Sequence, residues 1–167
     1  MSEEKIRAVI DTQLFLRAAL NLKSLPAKII FDWSDKYQLV TSEAILLEVR
    51  DVQTRPKIRA KYPHLTDAIT ERVLGVLSRA EKVNPTEIAA VSRDPKDDMF
   101  LACAKASGSK YIVSEDKDLL VLNPYEGIQI INAEEFMRLI TPKEENDVAT
   151  HQNGLSDTSP DTENKNE

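Results

Sequence analysis

The chain has 167 residues, a length that suits one domain, and its 28 acidic against 22 basic side chains give a net charge of −6. A single cysteine, Cys103, excludes an intrachain disulfide and a zinc–cysteine cluster and makes a reducing compartment the default. No apolar run approaches the roughly 20 residues of a membrane span, and Met1-Ser2-Glu3-Glu4-Lys5 lacks a signal-peptide core, so the sequence reads as soluble and cytoplasmic, without a membrane partner.

In chain order, Arg7 to Ile10 reads as a short buried strand, followed by a helix from about Thr12 to Leu20. A second helix is expected from Pro26 to Lys36, with proline well placed at a helix start. Gln38 to Val40 is a brief strand, and Thr41 or Ser42 can cap a helix that runs to about Thr54 and stops before Pro56. The spacing of Ile69, Val73, Leu74 and Leu77 predicts a helix over Thr66 to Arg79. A strand end at Glu81 to Val83 and a loop from Pro85 to Ser92 follow, then a helix from Lys96 to Ser107 that stops at Gly108. Tyr111 to Val113 is a strand, Asp116 to Val121 a short helix, Gly127 to Ile131 a strand and Ala133 to Leu139 a last helix. From Thr141 onward, 27 residues carry seven acids, two lysines and almost no apolar side chains. Such a segment cannot bury enough surface to offset its ordering entropy, and it reads as a disordered acidic tail after a domain of residues 1–140. That body holds 20 basic and 21 acidic residues, so the acidity belongs mostly to the tail.

Short strands alternating with helices predict an α/β fold: a compact α/β/α sandwich around a mainly parallel sheet, whose site lies beyond the carboxyl ends of the strands. Asp11 and Asp116 fall there directly, Asp98 stands at a helix start, and Glu48 borders the buried stripe of its helix. Carboxylates that converge without a lysine or histidine among them repel one another unless a cation lies between them, and their hard oxygens suit magnesium or manganese. The basic stretch Arg50, Arg55, Lys57, Arg59 and Lys61 begins at the end of the Glu48 helix and is the best candidate for phosphate contact, with Arg93 and Lys96 as further cations. It reads equally as a solvated loop.

Val9-Ile10-Asp11-Thr12, Ser42-Glu43 through Leu47-Glu48-Val49, Arg55-Pro56-Lys57, Arg93-Asp94-Pro95-Lys96-Asp97-Asp98 and Val113-Ser114-Glu115-Asp116-Lys117-Asp118-Leu119 occur in an order that resembles the PIN-domain nucleases, specifically their bacterial toxin-like branch. The resemblance implies a PIN-like, Rossmann-like sandwich and a metal-dependent endoribonuclease that hydrolyses phosphodiester bonds of single-stranded or structured RNA. It makes Asp11, Glu48, Asp98 and Asp116 the metal-site acids, with Asp118 able to supplement or replace Asp116 and Asp97 competing with Asp98. Thr12 and Ser114 match hydroxyl positions that order the site. Gln13 departs from the family, which usually has Asn there. The resemblance also implies a toxin role with a small antitoxin partner. A homodimer is a further expectation, with the helices near Leu14, Phe15 and Ile69 as contact surfaces; those positions suit the monomer core equally.

In such a site one or two metal ions would neutralise the phosphate and activate an in-line water, and Asp116, if not spent on coordination, could orient that water. The only histidines are His64 and His151, which argues against an acid–base ribonuclease built on paired histidines. A dehalogenase-like phosphatase needs a second Asp where this chain has Gln13, and a receiver domain needs paired acids on the first strand. A catalytically silent RNA-binding or scaffold module is the remaining alternative.

Overall fold

Five short segments become the five strands of one sheet. In the computed structural model, which describes residues 4–86 and 94–142, these are β1 (Arg7–Ile10), β2 (Gln38–Ser42), β3 (Glu81–Val83), β4 (Tyr111–Val113) and β5 (Gln129–Ile131). Their order is β3-β2-β1-β4-β5, and every pairing is parallel. Parallel strands need crossover connections, and here helices supply them: α1 (Thr12–Leu20), a turn of helix α2 (Leu25–Ala27), α3 (Glu43–Thr54), α4 (Pro56–Lys61), α5 (Asp67–Ser78), α6 (Asp98–Ser107), α7 (Lys117–Leu120) and α8 (Ala133–Ile140). Covered on both faces, the inner strands have apolar centres: Ala8, Val9, Val40, Ile112 and Val113 are fully buried. The α/β sandwich expected from the alternation is therefore the fold observed.

Three elements differ from their expected form. The helix expected over Pro26 to Lys36 is broken into α2, a π-helical turn at Lys28–Asp32 and a 3-10 turn at Ser34–Lys36. Its rule-breaker is Tyr37, whose buried hydroxyl donates to the Ile29 carbonyl at 3.0 Å and whose ring meets Phe136 edge-on at 5.0 Å. Tertiary packing thus overrides helical propensity. The stretch after Pro56 forms α4, with the proline in its first turn. Lys96 falls in a 3-10 turn at Pro95–Asp97, so the long helix starts at Asp98 and ends as expected at Gly108, whose φ of 71° suits glycine. Most of the loop expected at Pro85 to Ser92, Arg93, and the acidic tail from Lys143 onward lie outside the described residues.

Two of the expected dimer-contact residues, Leu14 and Phe15, are buried within the chain at 2% and 0% exposure, and Ile69 is partly buried against the same core. Leu14 and Phe15 are core residues and offer no surface to a second copy.

Candidate metal centre

The chain leaves β1 toward one side of the sheet and β4 toward the other, which makes the gap between their carboxyl ends the topological switch point, where open parallel sheets bind ligands. Asp11 follows β1 there, and its backbone N–H donates to the Val113 carbonyl of β4 at 3.1 Å. Asp11 also caps α1: its Oδ1 accepts the Gln13 N–H at 2.8 Å, an ordinary capping bond that fixes the carboxylate's direction. Its Oδ2 accepts the Ser114 hydroxyl at 2.5 Å. Ser114, fully buried just past β4, accepts the Asp116 N–H at 2.9 Å on the same hydroxyl. Asp116 in turn caps α7, with Oδ1 accepting the Asp118 N–H at 2.9 Å. One hydroxyl thereby connects the loops after β1 and β4.

The third contribution comes from α6. One carboxylate oxygen each from Asp97, Asp116 and Asp118 lie within 4.8 Å of one another. Asp97 is 6% exposed, and its buried Oδ2 has no hydrogen-bond donor. Burial pushes its carboxyl up to about 7, helped by a bond shared with Asp116 and by the charges of Asp116, Asp94 and Asp11. Two ionised carboxylates have no proton to donate to each other, so the orphaned oxygen needs either a proton held between Asp97 and Asp116 or a cation. Asp11 is also raised, chiefly by burial; the Ser114 and Gln13 bonds and the charge of Arg17 oppose that shift. The donor set is entirely carboxylate oxygen, the buried oxygen is unsatisfied, and the repulsion is the kind a dication relieves, so these residues fit a hard divalent metal.

Asp97, which the sequence reading set beside Asp98 as a competitor, is therefore the α6 acid that joins the group. The 3-10 turn sets this register. Asp94 Oδ1 accepts the Lys96 N–H at 3.0 Å, and Pro95 opens the turn, so Asp97 rather than Asp98 occupies the N-cap position. Asp98 is also buried, at 4% exposure, and its charge acts on the Tyr125 phenol, whose pKa is raised first by burial and then by Glu126. An Asp-Pro pair read as an Asx turn would have signalled this shift in the helix start.

Glu48 projects from α3, the helix that Ser42 Oγ caps by accepting the Ile45 N–H at 3.3 Å. It stays outside the 4.8 Å group, half-buried, with one oxygen 4.0 Å from Arg55 Nη2. Thr12 Oγ1, in the first turn of α1, is buried without a hydrogen-bond partner.

The basic stretch divides by environment. Arg50, Lys57 and Lys61 are exposed. Arg55 donates twice to Asp51, at 3.0 and 2.7 Å. Arg59 donates to the Gln53 carbonyl at 2.6 Å, to Asp67 at 2.9 Å and to Thr70 at 3.0 Å, joining α4 to α3 and α5. Its guanidinium is spent on packing. Arg59→Ala is expected to cost about 2 kcal/mol in chemical denaturation, whereas Lys57→Ala stays within about 0.5 kcal/mol.

Among the described residues no helix is long and apolar enough to cross a membrane. The architecture has counterparts among known proteins. A PIN-domain family model matches residues 7–118. A Methanocaldococcus jannaschii protein, MJ1680, is 33% identical over 148 residues, covering 86% of this chain and 92% of that protein. Among solved structures, PAE2754 from Pyrobaculum aerophilum is similar with a TM-score of 0.52 at 18% identity, over 81% of this chain and 89% of its own. VapBC2 from Rickettsia felis, solved bound to a DNA fragment from its promoter, gives a TM-score of 0.51 at 12% identity, over 76% of this chain and 98% of the matched one. At those identities the two structures show a shared fold. The family match over residues 7–118, more than half of the chain, establishes that this protein belongs to the PIN-domain family.

Proposed function

We propose that the chain is a magnesium- or manganese-dependent endoribonuclease that hydrolyses phosphodiester bonds of single-stranded or structured RNA in the cytoplasm. The observation that carries this reading is the group of three carboxylates at the switch point with one buried oxygen left unsatisfied. Asp97, Asp116 and Asp118 would hold the metal. Asp11, fixed by Gln13 and Ser114, and Glu48, reaching in from α3, would complete its surroundings; Asp98 is the alternative ligand from α6. When bound, the metal supplies phosphate neutralisation and a more acidic water. The chain's own part is to keep the carboxylates fixed, through Ser114 and the caps of α1 and α7, so that little reorganisation is needed as charge develops. Where Asp118 replaces Asp116 as a ligand, the half-buried Asp116 carboxylate orients the attacking water instead. Thr12, with its unsatisfied buried hydroxyl, stands beside Asp11 as a further orienting group.

Arg50, Arg55, Lys57 and Lys61 are the candidate phosphate contacts, and the nearly neutral body implies RNA binding that weakens steeply with salt. The fold shared with VapBC2 supports a toxin role held in check by a small antitoxin, and a homodimer remains part of this reading with a contact surface other than Leu14 and Phe15. The test is cleavage of a labelled single-stranded RNA. Activity is expected to vanish in chelator, to return with manganese, and to fall at least about 100-fold in Asp11→Asn. Equal cleavage by wild type and Asp11→Asn would overturn the enzyme and leave a silent RNA-binding module.

A further inference from the structure

Resting on that reading, we propose that Arg17 binds the RNA phosphate next to the scissile one and sets how the strand enters the acidic site. Helix α1 buries Thr12, Leu14, Phe15, Leu16, Ala18 and Ala19, which leaves Gln13 and Arg17 as an exposed ridge with one turn between them. That ridge starts at the site, because Asp11 caps the helix and the Gln13 N–H is bonded to it. The Arg17 Cα lies about 9 Å along the helix axis from Asp11. Side chains on a helix lean toward its N-terminus, so the long guanidinium arm is carried back toward the acids. Its charge is the cationic one felt at Asp11.

Arg17 is also unspent. Arg7 pairs with Glu81, Arg55 with Asp51, Arg59 with Asp67, Arg138 with Glu134, and Arg72 stacks 4.1 Å from the Phe31 ring centroid. The Arg17 side chain makes no hydrogen bond or ion pair among the described residues; only its backbone carbonyl is engaged, by the Asn21 N–H. A cluster of carboxylates repels a polyanion everywhere except at the metal. A strand crossing it therefore needs a fixed cation at the rim, and a guanidinium fork grips a phosphate in one orientation.

The test uses the full chain with manganese and a labelled single-stranded oligoribonucleotide across a range of salt. Arg17→Ala is expected to raise KM about tenfold, leave kcat within about twofold, and shallow the slope of log affinity against log salt by about 0.7. Arg17→Lys is expected to recover part of the KM but less than half of the loss, since an ammonium lacks the fork. Arg138→Ala, an equal charge change on α8, leaves all three values at wild type. A wild-type KM and salt slope in Arg17→Ala would overturn the proposal. Without any metal-dependent cleavage by wild type the nuclease reading falls, and the same salt series run as fluorescence anisotropy decides on Arg17 alone.

Discussion

Asp97→Asn is expected to stabilise the metal-free protein while abolishing its response to manganese. The buried carboxylate faces Asp116 and feels Asp11 and Asp94, and one of its oxygens has no donor. An amide at that position carries no charge and can donate to Asp116. The gain is about 1–2 kcal/mol at pH 7.5, or about 3–6 °C in melting temperature for a domain of this size. The pH dependence has a definite sign. The Asp97 carboxyl is raised from 3.8 to about 7, so between those values the folded chain holds a proton that the unfolded chain has released. Stability contributed by this group therefore falls as pH rises from about 4 to about 7. Melting curves of the metal-free protein are expected to show that decline, manganese to remove most of it, and Asp97→Asn to lack it. Asp98→Asn provides the contrast: it should retain the manganese-induced rise in melting temperature. If Asp98→Asn loses that rise and Asp97→Asn keeps it, the ligand from α6 is Asp98 after all.

Ser114→Ala should be the most damaging change that touches no carboxylate. Its fully buried hydroxyl donates to Asp11 and accepts from the Asp116 N–H, so its removal leaves the buried Asp11 carboxylate and the half-buried Asp116 N–H each one partner short. The expected cost is about 2–3 kcal/mol of stability. Manganese affinity should drop about 10–100-fold, the usual range for losing a group that orients ligands. Titration calorimetry on the variant at a temperature where it is folded separates the two effects. An unchanged manganese affinity would mean that the loops after β1 and β4 keep their places without this hydroxyl.

Much of this arrangement could be read from the residues before any coordinates. The strand at Tyr111 to Val113 and the helix from Thr12 to Leu20 appear with the expected bounds, because an apolar run closed by a polar residue, or an Asp with helical spacing behind it, leaves little choice. The convergence of Asp11 and Asp116 followed from the rule that parallel sheets place their site at the carboxyl edge. What could not be read depends on side chains meeting across the fold. The hydroxyl of Ser114 bridges 103 residues of sequence to Asp11. Tyr37 reaches back to the Ile29 carbonyl and splits a segment whose own propensity is helical. Arg59, one cation in a basic run, was indistinguishable by type from Lys57 and Lys61, and only the positions of Gln53, Asp67 and Thr70 give it a packing role. The choice between Asp97 and Asp98 turned on a single residue of helix phase, set by Asp94 and Pro95.

The Arg7 side chain has a consequence for the opposite rim of the sheet. It starts β1 and bonds both Glu81 of β3 and the Ser107 carbonyl at the last turn of α6. Strand β1 runs from Arg7 to Ile10, just before Asp11, and α6 runs about 15 Å from Asp98, just after Asp97, to Ser107. Strand and helix are thus joined at one end by a guanidinium, with the acids at their other ends. Loosening that joint, as in Arg7→Ala, is therefore expected to reach the spacing of the acids on the far side of the protein, where no atom has been changed, and to show as weaker manganese affinity.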